Sequence, residues 1–168
     1  MKIQGLFIII FFLTFLPNCE KDETDNEIDN GITFRQFDIK SNSETDATIT
    51  FVKYDEIIGY DSTKMAFVLK DAAWERIEQG ISPAYPDPNF GFIVALNNEL
   101  IYRVAYIVPY SSMALFDIIT LRIEEPNILY MELGYPASPE HFTGEDLRND
   151  LRIINQLEKD NKLIVLGE

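Results

Sequence analysis

Leu6 to Leu16 (LFIIIFFLTFL) is an apolar run preceded by Lys2 and followed closely by Cys19, the only cysteine in the chain. A helix needs about 20 apolar residues to cross the roughly 30 Å hydrocarbon layer of a bilayer, so the run is too short to span one. Its length and positive flank fit the apolar stretch of a secretory signal. The rest of the chain is therefore expected to fold after export. A single cysteine allows no internal disulfide, so the exported part must be held by its own hydrophobic core. A balance of 46% apolar and 25% charged residues is adequate for one such core.

Directly after Cys19 the charge reverses, with Glu20, Asp22, Glu23, Asp25, Glu27 and Asp29 crowded into one short stretch. Nothing in that stretch can join a core, and it reads as a solvated tether. The expected organisation is a signal peptide over residues 1–18, an acidic tether over 19–31 and a single domain over 32–168. Leu16-Pro17-Asn18-Cys19 resembles the bacterial lipobox. The resemblance implies that the Cys19 thiol carries a diacylglyceryl group and that the chain is cut before it. The new N-terminus would then be acylated as well. Two or more acyl chains anchor a protein stably, where one is marginal. Lys21-Asp22-Glu23 resembles the Lys-plus-acidic export signal of Bacteroidetes-type surface lipoproteins. It implies the outer membrane of the cell envelope, on its periplasmic or its surface-exposed face.

Composition narrows the partners. Lys and Arg number 14 against 28 Asp and Glu, a net charge of −14, and losing Lys2 with the signal makes the balance more negative. Binding to nucleic acid rests on basic side chains that displace counterions, and no basic cluster offsets this acidity. Nucleic acid is thus excluded as a partner, and the membrane is reached through the lipid anchor alone.

From Ile32 onward the apolar residues fall into short runs. Ile32–Phe34 with Phe37–Ile39, and Thr48–Phe51, favour strands. Ile57–Tyr60 and Met65–Leu69 flank Asp61-Ser62-Thr63-Lys64, four turn-forming residues that predict a β-hairpin. Asp71 is expected to cap a helix running to Gln79, with Ala73, Trp74 and Ile77 on its buried face and Gly80 as its left-handed C-terminal residue. Ser82–Asn89 holds three prolines and predicts an extended loop. Phe90–Leu96 and Leu100–Val108 flank Asn97-Asn98, and Asn accepts the positive φ of a type I′ turn, so a tight hairpin is expected. Asp117–Ile123 and Ile128–Leu133 predict two more strands. Thr143, with Asp146 three residues on, predicts the start of a second helix that buries Leu147, Leu151, Ile154 and Leu157, with Ile153 beside them. Lys162–Leu166 can return as a final strand. These elements define an α+β domain: a largely antiparallel sheet of about 5–7 strands with two helices packed on one face.

Ile57-x-x-Tyr60-Asp61-Ser62-Thr63, Leu69, Ala72-Ala73, Phe92-Ile93-Val94 and Asn98-Glu99-x-Ile101-Tyr102 form one ordered pattern. It resembles small Bacteroidetes-type lipoproteins of unassigned function. More distantly it is similar to the periplasmic β-α-β unit of the SecD translocase subunit. The resemblance covers Ile57 to Ile107, consists mainly of hydrophobic patterning, and implies a compact α+β domain without implying a transport role.

The catalytic inventory is thin. His141 is the only histidine, so a metal site built on two imidazoles is excluded. Ser138 and Ser111-Ser112 lack the sequence of a nucleophile elbow around them. Cys19 is consumed by the anchor, and the acidic tether lacks the glycine-bearing spacing of a calcium loop. No metal and no cofactor is expected. Aromatic and small hydroxyl residues on loops suit peptide or sugar recognition, which marks Tyr85, Phe90, Tyr110, Ser111 and Ser112 as a candidate binding surface. The expected function is a non-catalytic binding or assembly module with a protein or glycan partner. The alternative is a small carboxylate-dependent hydrolase acting on an envelope or extracellular polymer, which needs two acidic side chains about 5–10 Å apart.

Overall fold

A computed structural model describes residues 30–38, 49–81, 90–108 and 111–167, with the backbone alone at Phe37 and Asp38. Eight strands form one sheet: β1 (Ile32–Asp38), β2 (Thr50–Val52), β3 (Ile57–Asp61), β4 (Ala66–Leu69), β5 (Phe90–Leu96), β6 (Glu99–Tyr106), β7 (Leu115–Arg122) and β8 (Ile128–Tyr135). Among the described residues two α-helices accompany them, α1 (Asp71–Ile81) and α2 (Leu151–Lys159). The α+β class is as expected. The strand count exceeds the expected range because even the three-residue β2 is paired, through Val52 opposite Phe34.

The hairpins follow their turn chemistry. Between β3 and β4 the Asp61 carboxylate accepts from Thr63 N, Thr63 Oγ1 and Lys64 N, giving those turn donors a partner. Asn97 (φ 49°) and Asn98 (φ 70°) make the β5–β6 turn with both central residues left-handed, as a type I′ turn requires. Asn97 also accepts from Gly31 N through Oδ1 at 2.8 Å, which ties the hairpin tip to the start of β1.

Strand order is β2-β1-β5-β6-β7-β8-β4-β3, antiparallel at each pair except β6 with β7. The outermost strands, β2 and β3, are consecutive in the chain and joined by Lys53–Glu56 alone. Laid flat, seven spacings of about 4.8 Å would hold them roughly 34 Å apart. Five residue steps reach at most about 18 Å. The sheet must therefore curl until its edges approach one another. The Phe34 ring of β1 lies 5.1 Å from the Phe67 ring of β4, strands on opposite flanks of the order, as that curl demands. Inside the curve lies one core that includes Phe34, Tyr60, Phe67, Phe92, Val104, Leu129 and Met131, together with Ala73 and Ile77 of α1 and Ile153 and Leu157 of α2. Trp74 is half-buried and packs against this core.

Three local expectations are corrected. Gly80 lies within α1, at no positive φ; its missing side chain serves packing, since a Cβ there would sit 2.3 Å from the Phe90 ring. Asp71 does not cap from outside the helix; it is the first helical residue, and its carboxylate accepts from Asn127 Nδ2 at 2.6 Å. The second helix begins at Leu151 with Asp150 as N-cap, accepting from Arg152 N at 2.8 Å, and not at Thr143. Thr143 instead donates through N (2.6 Å) and Oγ1 (3.1 Å) to the Phe116 carbonyl. Leu151 is consequently 73% exposed, while Ile153 and Leu157 carry the buried face. After α2 the chain meets β3 through a single parallel bridge, Tyr60 with Leu163, in place of a full strand.

Candidate functional site

Cys19, Lys21, Asp22, Glu23, Tyr85 and Tyr110 lie outside the described residues. Phe90 is not a surface residue: it is 3% exposed, fills the space over Gly80 and meets the rings of Phe51 (5.4 Å) and Tyr106 (6.5 Å). Its place in the sequence beside a polar loop hid a core role. Ser112 is exposed, whereas Ser111 is half-buried and spends its Oγ on Met113 N at 3.1 Å.

One serine does meet the histidine. In the 3-10 turn Pro139–His141, Ser138 Oγ lies 2.8 Å from His141 Nδ1 and donates to Glu140 Oε1 at 2.9 Å. All three residues belong to one short turn, and the His141 side chain is 68% exposed. Among the described residues no hydrogen bond orients the imidazole from Nε2. A catalytic triad needs that third group to fix the ring, so this contact is the ordinary bonding of a turn.

A better-built site lies where the ends of β6, β7 and β8 converge. There a cavity of about 420 Å³ is walled by Tyr106, Ile107, Leu121, Ile123, Tyr135, Pro136 and Ala137, and by the polar Thr120, Arg122, Glu124 and Glu132. That volume falls in the range of small-molecule sites, roughly 300–1,000 Å³. Strand geometry places the polar groups together. Thr120 pairs across with Glu132 and Arg122 with Tyr130, and side chains two apart on a strand share a face, so all four stand on one side of the sheet. Thr120 is buried and donates through Oγ1 to the Gly134 carbonyl at 2.6 Å. Gly134 has φ 75°, and a Cβ there would lie 2.5 Å from the Leu115 carbonyl oxygen, so no other residue fits without displacing that strand.

Arg122 is held on three sides. Its Nε donates to Glu132 Oε1 at 2.7 Å, its Nη1 meets Glu124 Oε1 at 2.5 Å, and its guanidinium carbon lies 4.3 Å above the Tyr130 ring. Partial burial works against its charge, but the bonds to Glu132 and Glu124 outweigh that and raise its pKa further. The Tyr130 hydroxyl donates to Glu125 Oε1 at 3.1 Å, and burial followed by that carboxylate pushes its pKa up. Two carboxylates thus bracket the guanidinium, and a third, Glu125, stands on the Tyr130 hydroxyl.

Sequence reading did not find this site. Its one signal was charge inside apolar strands: Arg122 near the end of Asp117–Ile123 and Glu132 within Ile128–Leu133. Among the described residues no group of three or more His, Cys, Asp or Glu is placed to hold a metal ion, and no helix is long and apolar enough to cross a membrane. No protein-family model matches the chain, and no curated protein or solved structure was found to be similar to it.

Proposed function

We propose that this chain is an envelope-anchored lipoprotein whose domain is a non-catalytic binding module. In this reading Cys19 carries the lipid, Lys21-Asp22-Glu23 directs the protein to the outer membrane, and residues 19–31 tether the domain. The two helices lie on one face of the curled sheet and leave the β6–β8 cavity open to a ligand from the surrounding medium. The observation that carries the reading is that cavity: mostly apolar walls with a few convergent polar groups, the usual composition of a small-ligand site.

The hydrolase alternative gains no support from the titrating groups. A general acid in glycoside hydrolysis needs a carboxyl with a raised pKa. The displaced carboxylates among the described residues, Glu56, Asp61, Glu140, Asp146, Asp150 and Asp160, are all displaced downward. Hydrogen-bond donors such as Arg76, Thr63, Arg148 and Arg152 stand beside them.

Native mass spectrometry of protein purified from envelopes tests the proposal. The expected result is a bound small molecule that leaves chemically unaltered and is absent from the cavity-filling variant Ala137→Trp. Identical spectra for the two proteins, or release of a cleaved product, contradict it.

A further inference from the structure

Residues 162–167 lie along the edge of β3 without entering the core. Leu163 and Val165 are exposed, Val165 to 86%, while Lys162, Ile164 and Leu166 are half-buried. None of the six is buried, whereas each of the eight strands carries at least one buried residue. Separate contacts hold the segment in place. Tyr60 N donates to the Lys162 carbonyl (2.8 Å), Ile164 N to the Tyr60 carbonyl (3.0 Å) and Leu166 N to Asp61 Oδ2 (2.8 Å). Lys162 Nζ donates to the Tyr54 and Ile57 carbonyls, at 2.7 and 2.5 Å. Ile164 fills the place of a side chain at Gly59: a Cβ there would lie 2.7 Å from Ile164 Cγ2, and its three nearest atoms would all belong to Ile164. The edge of β3 is thus a seat for a strand, and its occupant is visible.

An element with exposed hydrogen bonds and little buried apolar surface opens at a cost well below that of global unfolding. Opening strips the Tyr60 main chain and Asp61 Oδ2 of the partners this segment supplies, and a bare edge pairs again with a matching strand. One turn decides where the segment goes. Asn161 N donates to the Glu158 carbonyl (3.1 Å), Lys162 N to the Leu157 carbonyl (2.7 Å), and Asn161 has φ 54°. This left-handed residue ends α2 and folds the chain back onto its own β3. In the extended region that L residues ordinarily prefer, the same residues lead away from the protomer.

We infer that the seat on β3 also takes the C-terminal segment of a second copy, so that two copies exchange residues 162–167 and each completes the Gly59 and Asp61 contacts of the other. The occupant is chosen by the seat itself, whose gap at Gly59 and acceptor at Asp61 fit this segment. A short hinge presents the segment to its own seat at an effective concentration in roughly the millimolar range. The dilute protein is therefore monomeric, and exchange belongs to crowded copies. The inference is independent of the cavity.

Two full-length variants test it together. Gly59→Val closes the seat and frees an intact segment, whereas Ile164→Ser spoils the segment and leaves the seat open. In analytical ultracentrifugation at about 200 μM each variant alone is expected to be monomeric, and their equimolar mixture to form a 1:1 heterodimer. A mixture that stays monomeric while both variants keep the circular dichroism of the natural protein overturns the inference. If either variant fails to fold, the natural protein decides. Refolded from urea at about 1 mM, it is expected to yield a dimer absent after refolding at about 10 μM, with the Ile164 and Leu166 amides as protected from hydrogen exchange as in the monomer. Monomer at both concentrations, or a dimer in which those amides are unprotected, overturns it.

Discussion

Replacing Asp61 with Asn tests how the curled sheet is locked. Asp61 is fully buried, and its carboxylate accepts four hydrogen bonds: Thr63 N (2.8 Å), Thr63 Oγ1 (2.7 Å), Lys64 N (3.0 Å) and, from the far end of the chain, Leu166 N (2.8 Å). One oxygen organises the β3–β4 turn and the other pins the C-terminal segment against the sheet edge. Asn keeps the shape and one acceptor, but its amide nitrogen then faces the Leu166 N–H, donor against donor. A hydrogen bond to a charged group contributes about 1.5–3 kcal/mol, and an unsatisfied buried donor costs about 1–3 kcal/mol. A net loss near 3 kcal/mol is the reasonable estimate, roughly a 150-fold change in the folding equilibrium. In urea denaturation followed by circular dichroism the midpoint should fall by about 1.5 M. The melting temperature should fall by about 10 °C. The pH dependence gives an independent check. Burial alone would raise the Asp61 pKa, but the hydrogen bonds from Thr63, Leu166 and Lys64 outweigh it and hold the carboxyl well below its ordinary range. A group depressed in the folded state contributes fully above its unfolded pKa, about 3.9, and loses that contribution as pH falls towards the folded value. The stability gap between the natural protein and Asp61→Asn should therefore be constant from pH 7 to about pH 5 and shrink below about pH 4. A variant within about 2 °C of the natural protein at pH 7, or a gap that does not shrink in acid, refutes the reasoning.

Three further substitutions bear on the fold and the anchor. Gly80→Ala should raise helix propensity by about 1 kcal/mol yet destabilise the protein in a thermal melt, because the added Cβ displaces the buried Phe90 ring. Leu151→Gln should change the melting temperature little, since Leu151 is 73% exposed, whereas Ile153→Ala should cost about 2–5 kcal/mol in denaturant unfolding. Cys19→Ala should move the protein from the membrane to the soluble fraction on ultracentrifugation, and a variant retained in the membrane would overturn the lipid-anchor reading.

The hairpins were legible in the sequence because their signals are local. Asn97-Asn98 carries its own turn geometry, and Asp61 through Lys64 supplies its own hydrogen bonds, so neither depends on distant partners. The start of α2 was misplaced because tertiary contacts claim the residues that looked like its cap. Thr143 is drawn to Phe116, and a Cβ at Gly144 would approach the Asp117 carbonyl oxygen to 2.7 Å. Arg148 binds the Asp146 carboxylate bidentately at 2.8 Å and donates to the Met131 carbonyl at 3.0 Å. Apart from Asp146, two residues before Arg148, these partners lie far outside a helical turn. Curling of the sheet escaped for a similar reason: it depends on β2 and β3 being opposite edges, which is a property of strand order and not of periodicity. The cavity was harder still. It is assembled across the parallel pair β6 and β7, so Tyr106 and Glu132 come to line one cavity only once the strands are aligned. Loop aromatics drew attention instead, and Phe90 proved to be core.

The binding reading is tested most directly by a nitrogen-15 NMR titration of the protein with the small-molecule fraction of bacterial envelopes. The account predicts progressive shifts at the amides of Ile107, Thr120, Gly134 and Ala137, lining the cavity, that the cavity-filling Ala137→Trp variant lacks. Shifts confined to Ser138–His141, or no shifts anywhere, would contradict it.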